Sequence, residues 1–493
     1  MQKIGFNNSD YLALQSGNIR RRMEGADKLY LEFGGKLIGD GHAARVMPGF
    51  DPDGKIKLLS ELRDSAEIIL CIGAPAIAQN KVRSDVGITY DQDILRLIDA
   101  LRTMDLSVSA IVITLYNGQP GADSFRQKLE NRGEQVYVHA LTRGYPSDVD
   151  VIVSEEGYGA NPFIKTTKPL VVVTAPGPGC GKLATCLSQL YHEQKLGVKA
   201  GYAKYETFPV WNLPQNHPVN LAYEAATADL HDVNMLDTYH LDAYGVQAVN
   251  YNRDLEVFPV VRSILKRILG ETPYRSPTDM GVNMIGSCIT DDDIVRNAAR
   301  QEVICRWYKA RCEYILGQCD SAVAQRIEIL MSQMELHAED RAVVGPALME
   351  SERTGRSTVA LELGDERIIT GKTSELMNST AAVVLNAVKA MAGIDDSIPL
   401  IAPTVLEPIL GLKKDLLGSR YPALKLEEIL QALYVSGNFN PTATCAIKQL
   451  PLLKGCEAHS SDLITRDDLT TMQKLGIRVT CEPLYPTKSL AFR

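Results

Sequence analysis

Between Lys168 and Glu193 the residue types and spacing fit phosphate chemistry. A β-branched apolar run, Val171 to Val173, leads into Pro176-Gly177-Pro178-Gly179-Cys180-Gly181-Lys182. A helical pattern follows, with Leu183, Leu187 and Leu190 on one face. A strand, a glycine loop and a helix N-terminus together make an anion site: the first-turn N–H groups have no intrahelical acceptor, the dipole end is positive, and the lysine adds a full charge. Gly177, Gly179, Cys180, Gly181, Lys182 and Thr185 are the candidate phosphate-binding residues. The sequence departs from the G-x-x-x-x-G-K-[ST] pattern at two places. Pro176 replaces the first glycine, and Leu183 replaces the hydroxyl residue that usually holds magnesium; Thr185 and Ser188 are the nearest substitutes. Cys180 sits in the loop with no histidine near it in sequence, so it reads as a bystander thiol rather than a nucleophile.

A second concentration of polar groups runs from Lys204 to Asp254, too rich in aromatic and apolar residues to be a disordered linker. Glu206 and Asp229 join Lys182 as candidate catalytic residues, and Asn220 and Glu224 are expected in the pocket wall with Gly35 and Lys36. Carboxylates of this segment would supply magnesium, although no individual ligand is singled out. Glu224 and Asp229 are five residues apart, about 140° around a regular helix, so only one of them is expected to touch a ligand.

These residues need a frame. From Asp27 to Leu196 strand and helix patterns alternate. Strands are expected at Lys28–Phe33, Glu67–Ile72, Ala110–Leu115, Gln135–His139, Val149–Val153 and Leu170–Thr174, with helices at Lys55–Arg63, Asp91–Met104, Ala122–Arg132 and Lys182–Lys195. That order predicts a parallel, P-loop-like or Rossmann-like sheet covered on both faces, with ligands beyond the carboxyl ends of its strands. The polar loops at 32–36, 116–121 and 155–162 are expected on that same edge, and the segment 204–254 is expected to fold back over it. A mainly helical stretch follows. Beyond Arg341 a hairpin at Ser357–Leu363 and Glu366–Thr370 opens a second α/β series. The expected division is 1–255, 256–340 and 341–493.

Composition narrows the classes. With 493 residues, more than one core is expected. A net charge of −8 argues against nucleic acid as a partner. No apolar run is long enough to span a bilayer, and Met1 to Asp10 lacks a signal-peptide core, so a cytoplasmic protein without a membrane partner is expected. The ten cysteines are scattered with no C-x-x-C pair. There is no H-E-x-x-H and no G-x-S-x-G, and Cys456-Glu457-Ala458-His459 lacks the paired downstream cysteines of a zinc deaminase. Zinc is not expected.

Longer segments carry a resemblance. Leu29 to Leu37, Arg45 to Pro52, Gly87 to Asp93, Thr174 to Cys186 and Pro218 to Leu230 resemble a bacterial family of uncharacterised proteins, domain of unknown function eighteen forty-six. The resemblance spans nearly the whole chain. It implies an N-terminal P-loop-like or Rossmann-like α/β region, a helical part, and a C-terminal α/β domain whose layout looks like the cytidine-deaminase-like fold. It carries over no catalytic residues. Some relatives bear an ATP-dependent zinc protease label, which the missing zinc motif here does not support. The glycine loop alone is similar to that of formate–tetrahydrofolate ligase.

The expected ligand is a small phosphorylated molecule, with ATP or another nucleotide and magnesium as cofactor. The expected chemistry is phosphoryl transfer or ATP-dependent ligation. The rival reading is a non-catalytic protein that senses a nucleotide or metabolite. A homo-oligomer is compatible with either.

Overall fold

The computed structural model describes residues 4–83, 87–419 and 423–486. They form two compact units that divide between Ala299 and Arg300, within the helix Asp292–Ile315. The stretch 256–340 is therefore shared between the units rather than forming a body of its own. Most of the helix Asn252–Leu269 packs Phe258, Val261, Ile264, Leu265 and Ile268 into the core of the first unit.

The first unit is built on seven parallel strands: β1 (Lys28–Phe33), β2 (Ala66–Gly73), β3 (Ser107–Tyr116), β4 (Val136–Ala140), β5 (Leu170–Thr174), β6 (Ala200–Tyr205) and β7 (Gly281–Val282). Their spatial order is β7-β6-β1-β5-β2-β3-β4. β2 and β5 are buried along their whole length, as central strands of a doubly covered parallel sheet must be. The one charge on β2, Glu67, is tolerated because its carboxylate accepts the Thr167 and Lys168 amides. Helix α1 (Tyr90–Thr103) buries Ile94, Leu97, Ile98 and Leu101, a 3.6-residue stripe closed at its start by the Thr89–Gln92 capping box. Helix α2 (Lys182–Lys195) descends from the carboxyl edge with Cys186, Leu187 and Leu190 buried. Helix α3 (Asn252–Leu269) lies against α2.

Two sequence expectations are corrected here. Val149–Val153 is not a strand: Val149–Ile152 is a short helix capped by the Asp148 carboxylate, which accepts the Val151 amide. The Asp/Val alternation mimics strand periodicity, but the local cap decides. The loop at 155–162 consequently does not follow a sheet strand. Glu155 instead bonds Tyr191 and Lys195 in the last turn of α2, toward the amino edge of the sheet. In addition, β6 is a strand absent from the expected set. Lys204, inside this otherwise half-apolar strand, masks its alternation.

The second unit holds a four-stranded mixed sheet of β8 (Thr358–Glu362), β9 (Ile368–Lys372), β10 (Glu457–Ser460) and β11 (Arg478–Cys481), in the order β9-β8-β10-β11. β8 and β9 are the expected antiparallel hairpin, while β10 and β11 run parallel. Among the described residues no helix is long and apolar enough to cross a membrane.

Candidate functional site at the carboxyl edge of the parallel sheet

The glycine loop leaves the carboxyl end of β5, between β1 and β2, and turns into α2 through Gly181. Two neighbours fix its path. A side chain at Gly177 would place Cβ 2.2 Å from the Tyr90 hydroxyl oxygen and 2.8 Å from its Cζ, so any larger residue must displace the Tyr90 ring of α1. Gly181 has φ +72°, and its Cβ would lie 2.9 Å from Thr114. The Thr114 hydroxyl donates to the Cys180 carbonyl at 2.9 Å, pinning the loop to β3. Gly179 also has positive φ. With the carbonyls held this way, the amides of Gly179 to Ala184 donate to no protein acceptor among the described residues. Lys182 is half-buried and forms no ion pair with the described residues. The Cys180 side chain is buried beneath the loop, its thiol 3.9 Å from the Pro178 carbonyl. The Thr185 hydroxyl is buried and donates back to the Gly181 carbonyl at 3.0 Å.

Gly177→Ala is expected to destabilise the first unit by about 1–3 kcal/mol, through overpacking against Tyr90. The check is urea unfolding, with partial recovery when Tyr90→Leu is added. A neutral Gly177→Ala would mean the loop has a second seating.

Next to the loop, β1 and β6 present a buried charge cluster. Glu32 pairs in register with Val173 of β5 on one side and Lys204 of β6 on the other. It is only 9% exposed, and its carboxylate accepts the Tyr202 hydroxyl at 2.8 Å. The Lys204 ammonium lies 2.6 Å from Glu206 and 2.5 Å from Asp254, the latter brought back by the first turn of α3. Burial works against the Lys204 charge, but the carboxylates of Asp254, Glu206 and Glu32 outweigh it and hold the ammonium firmly protonated. Burial also pushes the Glu206 carboxyl up to about 7; Lys204 opposes the shift, while Asp254 and Glu32 add to it. The glycine loop and this cluster share an electrostatic field. The Cys71 thiol, buried under α2, is pushed up to about 12 mainly by burial, with Lys182 pulling it down and Glu32 pushing it up. The same two groups act on the buried Cys186.

The remaining candidates are distributed as follows. Gly35, at φ +70°, lies over the buried Lys55 ammonium, which pairs with Asp40 at 2.8 Å and donates to Thr207. Lys36 is half-buried beside it in sequence. Asn220 is fully buried, but its amide exchanges hydrogen bonds with the backbone of Val210 and donates to Pro214. It clamps the loop that follows Glu206. Glu224 accepts the backbone and side-chain amides of Asn234 and so holds the short hairpin of Asn234–Leu236 and Val249–Tyr251. Asp229 is exposed on the turn Ala228–Leu230 and has no bond to the cluster. Of the three candidate catalytic residues, Lys182 and Glu206 thus belong to one edge and Asp229 stands apart. Sequence reasoning did not select Glu32, Lys204 and Asp254 as site residues. A carboxylate and a lysine inside apolar strands were the available signal, since such charges are buried only when paired.

Among the described residues no three His, Cys, Asp or Glu side chains converge as ligands for one metal ion. Between Glu206 and Asp254 stands the Lys204 ammonium.

Residues 4–335 match the family model described as domain of unknown function DUF1846, N-terminal, and residues 339–491 match its C-terminal counterpart. Two relatives from Clostridium botulinum, each named UPF0371 protein, cover 99% of this chain and of their own length. The one from strain Alaska E43 is 55% identical and the one from strain Kyoto is 56% identical. The chain therefore belongs to this uncharacterised bacterial family, DUF1846.

Proposed function

We propose that the protein binds a nucleotide or small phosphorylated metabolite at the Gly177–Lys182 loop and uses it in phosphoryl transfer or ATP-dependent ligation. The supporting observation is the row of amides from Gly179 to Ala184, which find no acceptor among the described residues and are joined by Lys182, which pairs with none of the described carboxylates. It sits at the carboxyl edge of a parallel sheet, where α/β proteins bind ligands. Lys182 would neutralise phosphate charge, and Glu206, which titrates near neutrality, is suited to acid–base work beside it. A nucleotide would bring magnesium on its own phosphates, because Lys204 occupies the space between Glu206 and Asp254.

Calorimetric titration with pyrophosphate, ADP and ATP tests binding; absence of heat and of competition with sulfate would overturn it. A second reading, a non-catalytic nucleotide or metabolite sensor, is favoured by one observation. Leu183 stands at the usual hydroxyl position, and the Thr185 hydroxyl is already bonded to Gly181. Tight ATP binding without turnover in the presence of magnesium and a metabolite extract would select the sensor.

A further inference from the structure

The buried cluster beside the loop carries an excess of negative charge. Glu32 comes from β1, Glu206 follows β6 and Asp254 comes from α3, yet among the described residues Lys204 is the one cation that ion-pairs within the group. Glu32 has a phenol rather than a cation as its partner. The neighbouring Asp232 is already matched by Arg253. The other titratable groups facing Glu206 are the phenols of Tyr223, on the helix Pro218–Ala226, and Tyr251, on the strand Val249–Tyr251. Neither can supply positive charge. Tyr251 is 7% exposed.

β1 separates β5 from β6, so the cluster lies about two strand spacings, roughly 10 Å, from the strand that bears the loop. Over that distance, through protein, an arriving dianion is strongly felt. The group best placed to respond is Glu206: its side chain is more deeply buried than that of Asp254, and it must share its ammonium.

We propose that anion binding at the glycine loop is coupled to uptake of a proton from solvent by the Glu32–Glu206–Asp254 cluster around Lys204, with Glu206 as the group that takes it. This rests on the anion-site reading above. The sign follows from linkage. An anion favours the protonated cluster, so affinity is greatest at low pH and falls as pH rises through the neutral range in which Glu206 titrates.

Sulfate is the probe, because it stays doubly charged from pH 6 to 9 and any proton taken up must go to the protein. Calorimetry in two buffers of different ionisation enthalpy should show net proton uptake near pH 7.5. Affinity should drop by about sixfold between pH 6.5 and 8.5, most of the tenfold limit set by about one unit of pKa change. Glu206→Gln should bind sulfate with a flat pH profile and no uptake. In the wild type, the infrared difference between sulfate-bound and free protein should show a carboxylate band lost and a protonated carboxyl band gained, a readout that does not depend on the variant folding. Sulfate binding without proton uptake overturns the coupling and leaves the anion site standing. Uptake that persists in a folded Glu206→Gln protein also overturns it. No sulfate binding in the wild type removes the anion site, and the coupling with it.

Discussion

Lys182→Ala is expected to weaken pyrophosphate binding by about 10- to 100-fold, the loss of one charge-assisted contact of roughly 1.5–3 kcal/mol. Stability should stay within about 0.5 kcal/mol of wild type. The two expectations belong together. Lys182 is half-buried, begins α2 and has no carboxylate partner among the described residues, so removing it breaks no ion pair with them. Its charge acts on the edge of the sheet, where it already opposes the upward shift of the Cys71 and Cys186 thiols. Lys182→Arg should recover part of the affinity, since the charge returns with a different reach and hydration. Calorimetry reads the affinity and urea unfolding reads the stability. Equal affinity in wild type and Lys182→Ala would remove the anion site. A large loss of stability would instead make Lys182 a structural residue.

The largest effect on stability is expected in the second unit, at Arg341. Its guanidinium is 1% exposed and ties β10 to β11. It donates to the Glu457 carboxylate at 2.6 Å, to the Thr480 hydroxyl at 3.0 Å, and to the Ala458 and Arg478 carbonyls at 3.0 Å each. Arg341→Ala leaves a carboxylate, a hydroxyl and two carbonyls short of a donor and opens a cavity, so a loss of about 3–5 kcal/mol is expected. Arg341→Lys should recover only a minority of it, because an ammonium cannot reproduce a planar fork that reaches two strands. The measurement is urea unfolding followed by a probe in residues 300–486. A change below about 1 kcal/mol would show that water replaces the guanidinium. Sulfate binding by the first unit should persist in Arg341→Ala under native conditions, which separates stability from function.

How far the sequence reaches depends on the range of the forces involved. The hairpin of β8 and β9 was legible because Gly364-Asp365 sits between two β-rich runs, a local signal. Helix α2 was legible to the residue, since a left-handed glycine at its start and a regular apolar stripe both lie within its own span. Val149–Ile152 was misread for the opposite reason: a run of alternating Asp and Val has strand periodicity, but no neighbouring strand accepts it and Asp148 caps it instead. Asn220 and Glu224 drew attention as polar residues in an apolar setting. The structure gives both backbone-fixing bonds, and sequence cannot distinguish such a clamp from a pocket wall.

By itself, then, the sequence determined the glycine loop, the lysine that ends it, the family and the parallel α/β frame, all properties of contiguous residues. Only the tertiary structure decided which distant charges share the loop's edge. Glu32, Lys204 and Asp254 are far apart in the chain, and they meet because β6 crosses to the far side of β1 while α3 returns its first turn to the same end. Strand order, rather than local pattern, sets that meeting, and burial then forces the charges to pair and to shift their protonation. Asp229, only a few residues from the clamp at Glu224, is left in solvent by the same geometry.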